Sequence, residues 1–351
     1  MSSLLVGIGV ARADNWPQWR GPDNNGISKE KNLPVEWDET KNVVWKLKMP
    51  GMAGSTPAVW GDRIFLTSED GKEIWKADIQ SRYGAFKPMH GMHTTPLLHG
   101  DRLYLQLIHA NAAKVVALDK SNGDEVWKIE RKSDGTDECR DSYASPSIGK
   151  NGKDEYLLVH GCDYTTAHSL KDGSEIWRVG DLNSKDHHNG TFRFVASPVA
   201  TPELIVVPTC KTGGVVGVKP DASGTFGAGG SGEQWRLKSG TPDVPSPLVV
   251  DGLVYLCGDG KVTCLDAKTG KQYYSEQTRT GIHRASPVYA DGKIYVAAEN
   301  GTILVVKAGT KFELLAKNKL PDTITASPVV AGGRIYIRGW DNLYAISQDG
   351  K

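Results

Sequence analysis

Nine histidines and five cysteines are the groups in this 351-residue sequence best suited to hold a metal or attack a substrate. Their spacing points elsewhere. His90 and His93 lack the i, i+4 partner or the nearby carboxylate that a metal-ligating pair requires. Cysteines 139, 162, 210, 257 and 264 form no Cys-x-x-Cys, zinc or haem-attachment pattern. Gly-x-Ser-x-Gly, His-Glu-x-x-His and a phosphate loop ending in Gly-Lys-Ser/Thr are also missing, and the Gly-Lys pairs fall in turns. No catalytic residue and no metal are therefore expected. What remains is a set of side chains suited to binding. His93, Asp141, Tyr143, Arg193, Phe194 and Arg284 stand shortly before recurring Ser/Thr-Pro steps or the runs that contain them. His109, His160, Asp163, Lys211, Glu299, Arg338 and Trp340 stand shortly after β-rich runs. Polar and aromatic groups of this kind, gathered at one mouth of a channel, would form a ligand site. Tyr143, Phe194 and Trp340 would also suit a carbohydrate.

Whether they gather depends on the elements that carry them. Ser/Thr-Pro-apolar steps recur with proline at 57, 96, 146, 198, 247, 287 and 328, at spacings of 39 to 52 residues. Most steps lead into a Gly-Asp or Asp-Gly turn flanked by apolar runs, such as Asp251-Gly252 or Asp291-Gly292, a strong hairpin signal. A third run follows, such as Val115–Asp119, then a glycine turn and an aromatic residue. Four short strands per 40–50 residues is the pattern of a propeller blade. The seventh repeat stops after its third strand, Leu343–Ile346, whereas Val43–Lys46 precedes the first repeat as an orphan copy of a fourth strand. The expectation is an all-β, closed propeller of about seven four-stranded blades, the amino-terminal strand completing the last. Phe65 and Trp75 are only 10 positions apart where Tyr104 and Trp127 are 23 apart, so the first blade is expected to lack a strand. If strands alternate in direction, the binding residues named above share one face, and the opposite face offers little beyond tight turns. Trp45, Trp75, Trp127, Trp177, Trp235 and Tyr274 occupy matching places and are expected to pack across blade seams.

Composition narrows the function classes. Forty glycines and eighteen prolines suit a turn-rich β protein, and a net charge of +1 argues against nucleic-acid binding. Leu4–Val10 followed by Ala11-Arg12-Ala13 reads as the remnant of a signal peptide (1–13), leaving an extension (14–42) and a single propeller domain (43–351). No stretch reaches the ~20 apolar residues of a membrane helix. A periplasmic or secreted monomer with buried thiols and no disulfide framework is expected. Across the Gly258–Lys261 turn, Cys257 should lie opposite Val262, with Cys264 diagonal to it.

Ala117-Leu118-Asp119 through Gly123 to Trp127, and Cys264 to Gly270, resemble the tryptophan-docking repeat of PQQ-like (quinoprotein-type) propellers. The opening Trp16-Pro17-Gln18-Trp19-Arg20-Gly21-Pro22 is similar to that of exported bacterial proteins of this kind. Members include PQQ-dependent alcohol dehydrogenases and the BamB-like lipoprotein of the outer-membrane assembly machinery, both usually eight-bladed. The resemblance implies one of two activities. The dehydrogenases hold PQQ between a tryptophan and an adjacent-cysteine disulfide, with calcium and an aspartate base; this sequence has no Cys-Cys dipeptide. The favoured expectation is therefore a non-catalytic scaffold for a protein or polymer at the cell envelope, without a cofactor. The alternative is a PQQ- and calcium-binding oxidoreductase or its degenerate descendant.

Overall fold

The computed structural model describes residues 15–49, 54–60, 63–65, 75–91, 94–110, 112–183, 188–210 and 213–348. The segment read as a signal peptide, His93 and Lys211 lie outside them. Repeats two to six each contain a four-strand antiparallel meander. Blade 2 is Leu97–His99, Arg102–His109, Ala112–Asp119 and Glu125–Glu130; blade 5 is Leu248–Val250, Leu253–Gly258, Lys261–Asp266 and Gln272–Gln277. The middle strands are sandwiched between neighbouring blades, so both faces are apolar and the sequence runs unbroken, as in Ile303–Val306, all buried. Asp251 (φ 49°) and Gly252 (φ 72°) turn the blade 5 hairpin, a pair of left-handed conformations that Asp-Gly adopts cheaply. The next hairpin sets Cys257 opposite Val262 and Tyr255 opposite Cys264, and all five cysteines are free and buried.

The first strands lie innermost, and those of blades 3 to 6 touch from one blade to the next. Proline is tolerated there because an edge strand's start needs no N–H for the ladder. The residue before it makes the ring. Thr95 N–H donates to Ser145 Oγ (2.9 Å), Ser145 to Ser197 (2.9 Å), Ser197 to Ser246 (2.9 Å), Ser246 to Ser286 (3.0 Å) and Ser286 to Ser327 (3.0 Å). Each bond crosses one seam, so the Ser-Pro repeat is a circumferential hydrogen-bond ladder as well as a strand start.

Tryptophans link seams at the rim. Trp75, Trp127 and Trp235 donate from Nε1 to the carbonyls of Lys120 (2.8 Å), Leu170 (3.1 Å) and Ala267 (2.7 Å) in the following blade. Their rings lie on Gly123, Gly173 and Gly270, all at positive φ, where a Cβ would come within about 2.6–2.8 Å of an indole atom. The other aromatics of the series differ. Trp45 packs at a tilt against Tyr336 and Tyr274 edge-on against Phe312, and Trp177 meets Phe226 while its Nε1 has no acceptor among the described residues.

Val43–Lys48 pairs antiparallel with Asn342–Ser347, with Trp45 opposite Ala345 and Leu47 opposite Leu343, so the chain's first strand completes its last blade. Two blades depart from four strands. Blade 1 has two strands among the described residues, Ala58–Trp60 and Arg63–Phe65, and residues 66–74 lie outside them. Blade 3 has five: Gly224–Phe226, from an insertion in repeat four, adds in parallel to its outer strand Glu175–Val179.

The extension threads the central channel. Trp16 bridges Val59 of blade 1, Asn24 donates to the Pro146 carbonyl of blade 3 (3.5 Å), and Ser28 to the Val330 carbonyl of blade 7 (3.2 Å). Arg20, 1% exposed, donates to the carbonyls of Pro247 (2.7 Å) and Asn25 (2.9 Å), and burial lowers its pKa to about 9. The chain then leaves between blades 6 and 7, where Glu30 accepts from the Gly332 and Gly333 amides.

Candidate functional site

The channel has two mouths. At the one where inner strands begin, a histidine and charged side chains from successive blades form a connected chain. His90 lies 3.4 Å from Glu138, which is 3.4 Å from Arg193; Arg193 is 3.9 Å and Arg284 4.0 Å from Asp243; Arg284 is 3.3 Å from Glu299. The two carboxylates in the middle are nearly covered (11% exposed each), whereas Arg193 and Arg284 remain 36% and 40% exposed. Exposed pairs of this kind add only about 0–1 kcal/mol each, so their contribution to stability is small and their exposed donors remain able to bind. Arg193, Arg284 and Glu299 are among the residues expected from the sequence, whereas Glu138 and Asp243 are not. Asp243 precedes Ser246 much as Arg284 precedes Ser286, and that positional match was the available signal.

The remaining expected binding residues divide differently. Phe194 and His160 are wholly buried, their rings 5.1 Å apart, and Tyr143 is 5% exposed. Tyr143 and Phe194 therefore present no platform to a carbohydrate. Asp141 is buried as an acceptor for the amides of Met89 (2.9 Å) and Ala110 (3.1 Å), holding two loops. His109 packs edge-on to Phe86, and burial lowers its pKa. His160 Nδ1 meets Thr165 Oγ1 at 2.7 Å, and burial with nearby Arg131 takes its pKa to about 3. The His283 pKa is likewise lowered by burial, to about 4. Histidines held neutral this far below 7 are poor proton acceptors in catalysis. Arg338 is buried and donates to Ser55 Oγ (3.4 Å), while Trp340 donates to Thr325 Oγ1 (3.3 Å). Asp163 pairs with His188 at 3.1 Å, apart from the ion chain.

The opposite mouth, expected to offer little, holds a cleft of about 900 Å³. The extension forms one wall, with Gln18, Asp23 and Lys29, and the inner strands and turns of blades 2 to 6 form the other, with His99, Lys150 and Glu203. The nearby Glu155 joins two blades here: it is 2.8 Å from both His99 and Lys150, and these contacts lower its pKa. The cleft was not foreseen because its first wall is an aperiodic segment.

The profile of the family described as outer membrane protein assembly factor BamB matches residues 27–159, 69–227 and 163–351, nearly the whole described propeller. The chain belongs to this PQQ-like, BamB-type family. Its fold is shared with BamB of Moraxella catarrhalis (TM-score 0.53, 15% identity, 72% of this chain and 71% of that one). It is shared also with the quinohemoprotein alcohol dehydrogenase ADHIIG of Pseudomonas putida HK5 (TM-score 0.54, 11% identity, 96% and 80%). Among curated relatives, the Streptomyces griseus serine/threonine-protein kinase AfsK is 33% identical over 113 residues, 28% of this chain and 14% of the kinase. The Pseudomonas putida quinohemoprotein alcohol dehydrogenase ADH-IIG is 30% identical over 108 residues, 26% of this chain and 15% of the dehydrogenase. The matched stretches thus span about a seventh of either curated relative.

This family member does not fit the quinone clamp that the resemblance attributes to the dehydrogenases. No two of its cysteines are adjacent in sequence, and each is a separate buried thiol. Burial raises Cys139 and Cys257 to about 12 and Cys210 and Cys264 to about 11, so none of them is a free thiolate nucleophile near neutral pH. Among the described residues, no helix is long and apolar enough to cross a membrane.

Proposed function

We propose that this protein is a non-catalytic scaffold of the cell envelope that binds a protein or polymer partner at the mouth bearing the ion chain. It is proposed to act outside the cytoplasm, as a monomer and without PQQ. The observation supporting this reading is that Arg193 and Arg284 flank the covered carboxylate Asp243, at 3.9 and 4.0 Å, while remaining more than one-third exposed. Two planar forks on a rigid ring retain donors for a partner's carboxylates or carbonyls. The neutral, buried histidines beside them are unsuited to acid–base chemistry near pH 7.

The test is affinity capture from the native envelope, with mature wild-type chain and the Arg193→Glu/Arg284→Glu variant as matched baits. A partner recovered by the wild type and lost with the variant, at equal thermal stability of the baits, supports the reading. Identical recoveries would remove this mouth as the binding surface.

A further inference from the structure

Beside the ion chain lies a group of ligating side chains that the scaffold reading does not use. Cys139 lies in the short turn Asp137–Arg140 before blade 3, Asp163 sits in that blade's hairpin between strands two and three, and His188 is on the loop before blade 4. Their ligand atoms all fall within 4.8 Å of one another, with His188 Nε2 3.1 Å from Asp163 Oδ2. Tetrahedral ligands around a metal 2.0–2.3 Å away are separated by roughly 3.3–3.8 Å, so small side-chain shifts suffice to close the set.

A second feature points the same way. Asp163 is 7% exposed, and its Oδ1 is buried without a hydrogen-bond partner among the described residues. A buried carboxylate oxygen left unpaired is costly unless something cationic or donating occupies its other side. Asp163 and His188 both line a polar cavity of about 270 Å³, with Asp134, Asp181 and Asn183 among its walls. The cavity leaves room for a water in a fourth coordination position. Asn183 already orients the sulfur, its Nδ2 lying 3.3 Å from Cys139 Sγ, as an outer-shell residue does.

We infer that Cys139, Asp163 and His188 form a binding site for Zn²⁺ or a similar borderline divalent metal, completed by water from the adjoining cavity. One sulfur, one imidazole nitrogen and one carboxylate oxygen is a donor set that selects such ions over Mg²⁺ or Ca²⁺. Binding replaces the thiol proton, which passes to solvent. The metal would tie together three loops from two blades. Two of them also carry the ion chain: Glu138 adjoins Cys139, and Arg193 follows His188 by five residues. Loading would thus fix the placement of the proposed partner-binding arginine.

The experiment is titration of the untagged, metal-free mature chain with Co²⁺ as a spectroscopic stand-in, followed by displacement with Zn²⁺. One equivalent should produce a thiolate-to-cobalt absorption band and release about one proton near neutral pH; zinc should then bleach the band with no further proton released or taken up. Cys139→Ser should abolish the band, and Asp163→Asn or His188→Gln should weaken binding at least about tenfold. His188 is exposed, so His188→Gln keeps the test valid if Cys139→Ser does not fold. A folded wild type with no thiolate band, or a His188→Gln variant that binds as tightly as the wild type, would overturn the assignment.

Discussion

Ser246→Ala tests the physical origin of the ring. Ser246 Oγ accepts the Ser197 amide at 2.9 Å, and the Ser246 amide itself donates to Ser286 Oγ at 3.0 Å. Truncation removes only the first bond, because the second uses a backbone donor that remains. Ser197 is 3% and Ser246 2% exposed, so water cannot readily replace the lost acceptor. The variant loses a net bond of about 1 kcal/mol and strands a buried N–H, for a total of roughly 1–3 kcal/mol. Ser246→Thr keeps the oxygen and introduces the residue type that the first two repeats carry at Thr56 and Thr95. Urea unfolding followed by tryptophan fluorescence should show the midpoint lowered for alanine at unchanged slope, and largely restored for threonine. Equal midpoints for alanine and wild type would refute the ladder as a source of stability.

Other substitutions separate backbone conformation from packing. Gly252→Ala meets no atom within 4 Å and should cost only the left-handed backbone term, about 1–2 kcal/mol, whereas Gly270→Ala adds a 2.8 Å approach to the Trp235 ring and should cost about 2–5 kcal/mol by the same assay. Because His160, His168 and His283 have folded pKa values near 3 to 4 against 6.5 unfolded, the unfolded chain binds more protons between these limits. Their contribution is therefore intact above pH 6.5 and falls toward pH 4, by up to about 1.4 kcal/mol per pH unit for each histidine, and the melting temperature should fall accordingly across this range. Arg20→Ala should free the carbonyls of Pro247 and Asn25 and loosen the channel segment, seen as faster limited proteolysis within residues 15–42 while the blades stay intact.

Periodic features of the sequence were the ones it made legible. The Ser/Thr-Pro steps located the inner strands, the Asp-Gly pairs the hairpins, and the orphan strand around Trp45 its place beside Ala345. Aperiodic features were hidden. Nothing between Trp16 and Pro34 repeats, so its passage through the channel, touching blades more than 300 residues away as Ser28 touches Val330, had no local signature. Loop position alone marks the candidate site residues, and it cannot distinguish exposed Arg284 from buried Phe194. Cys139, Asp163 and His188 are 24 and 25 positions apart, a spacing that only the seam between two blades brings together.

The scaffold reading stands or falls most directly on isothermal titration of the mature chain with PQQ in the presence of calcium, accompanied by a dye-reduction assay with short alcohols. No saturable one-to-one heat and no dye reduction above the protein-free rate are expected. Stoichiometric tight binding with alcohol-dependent dye reduction would contradict it and make the protein a quinone enzyme.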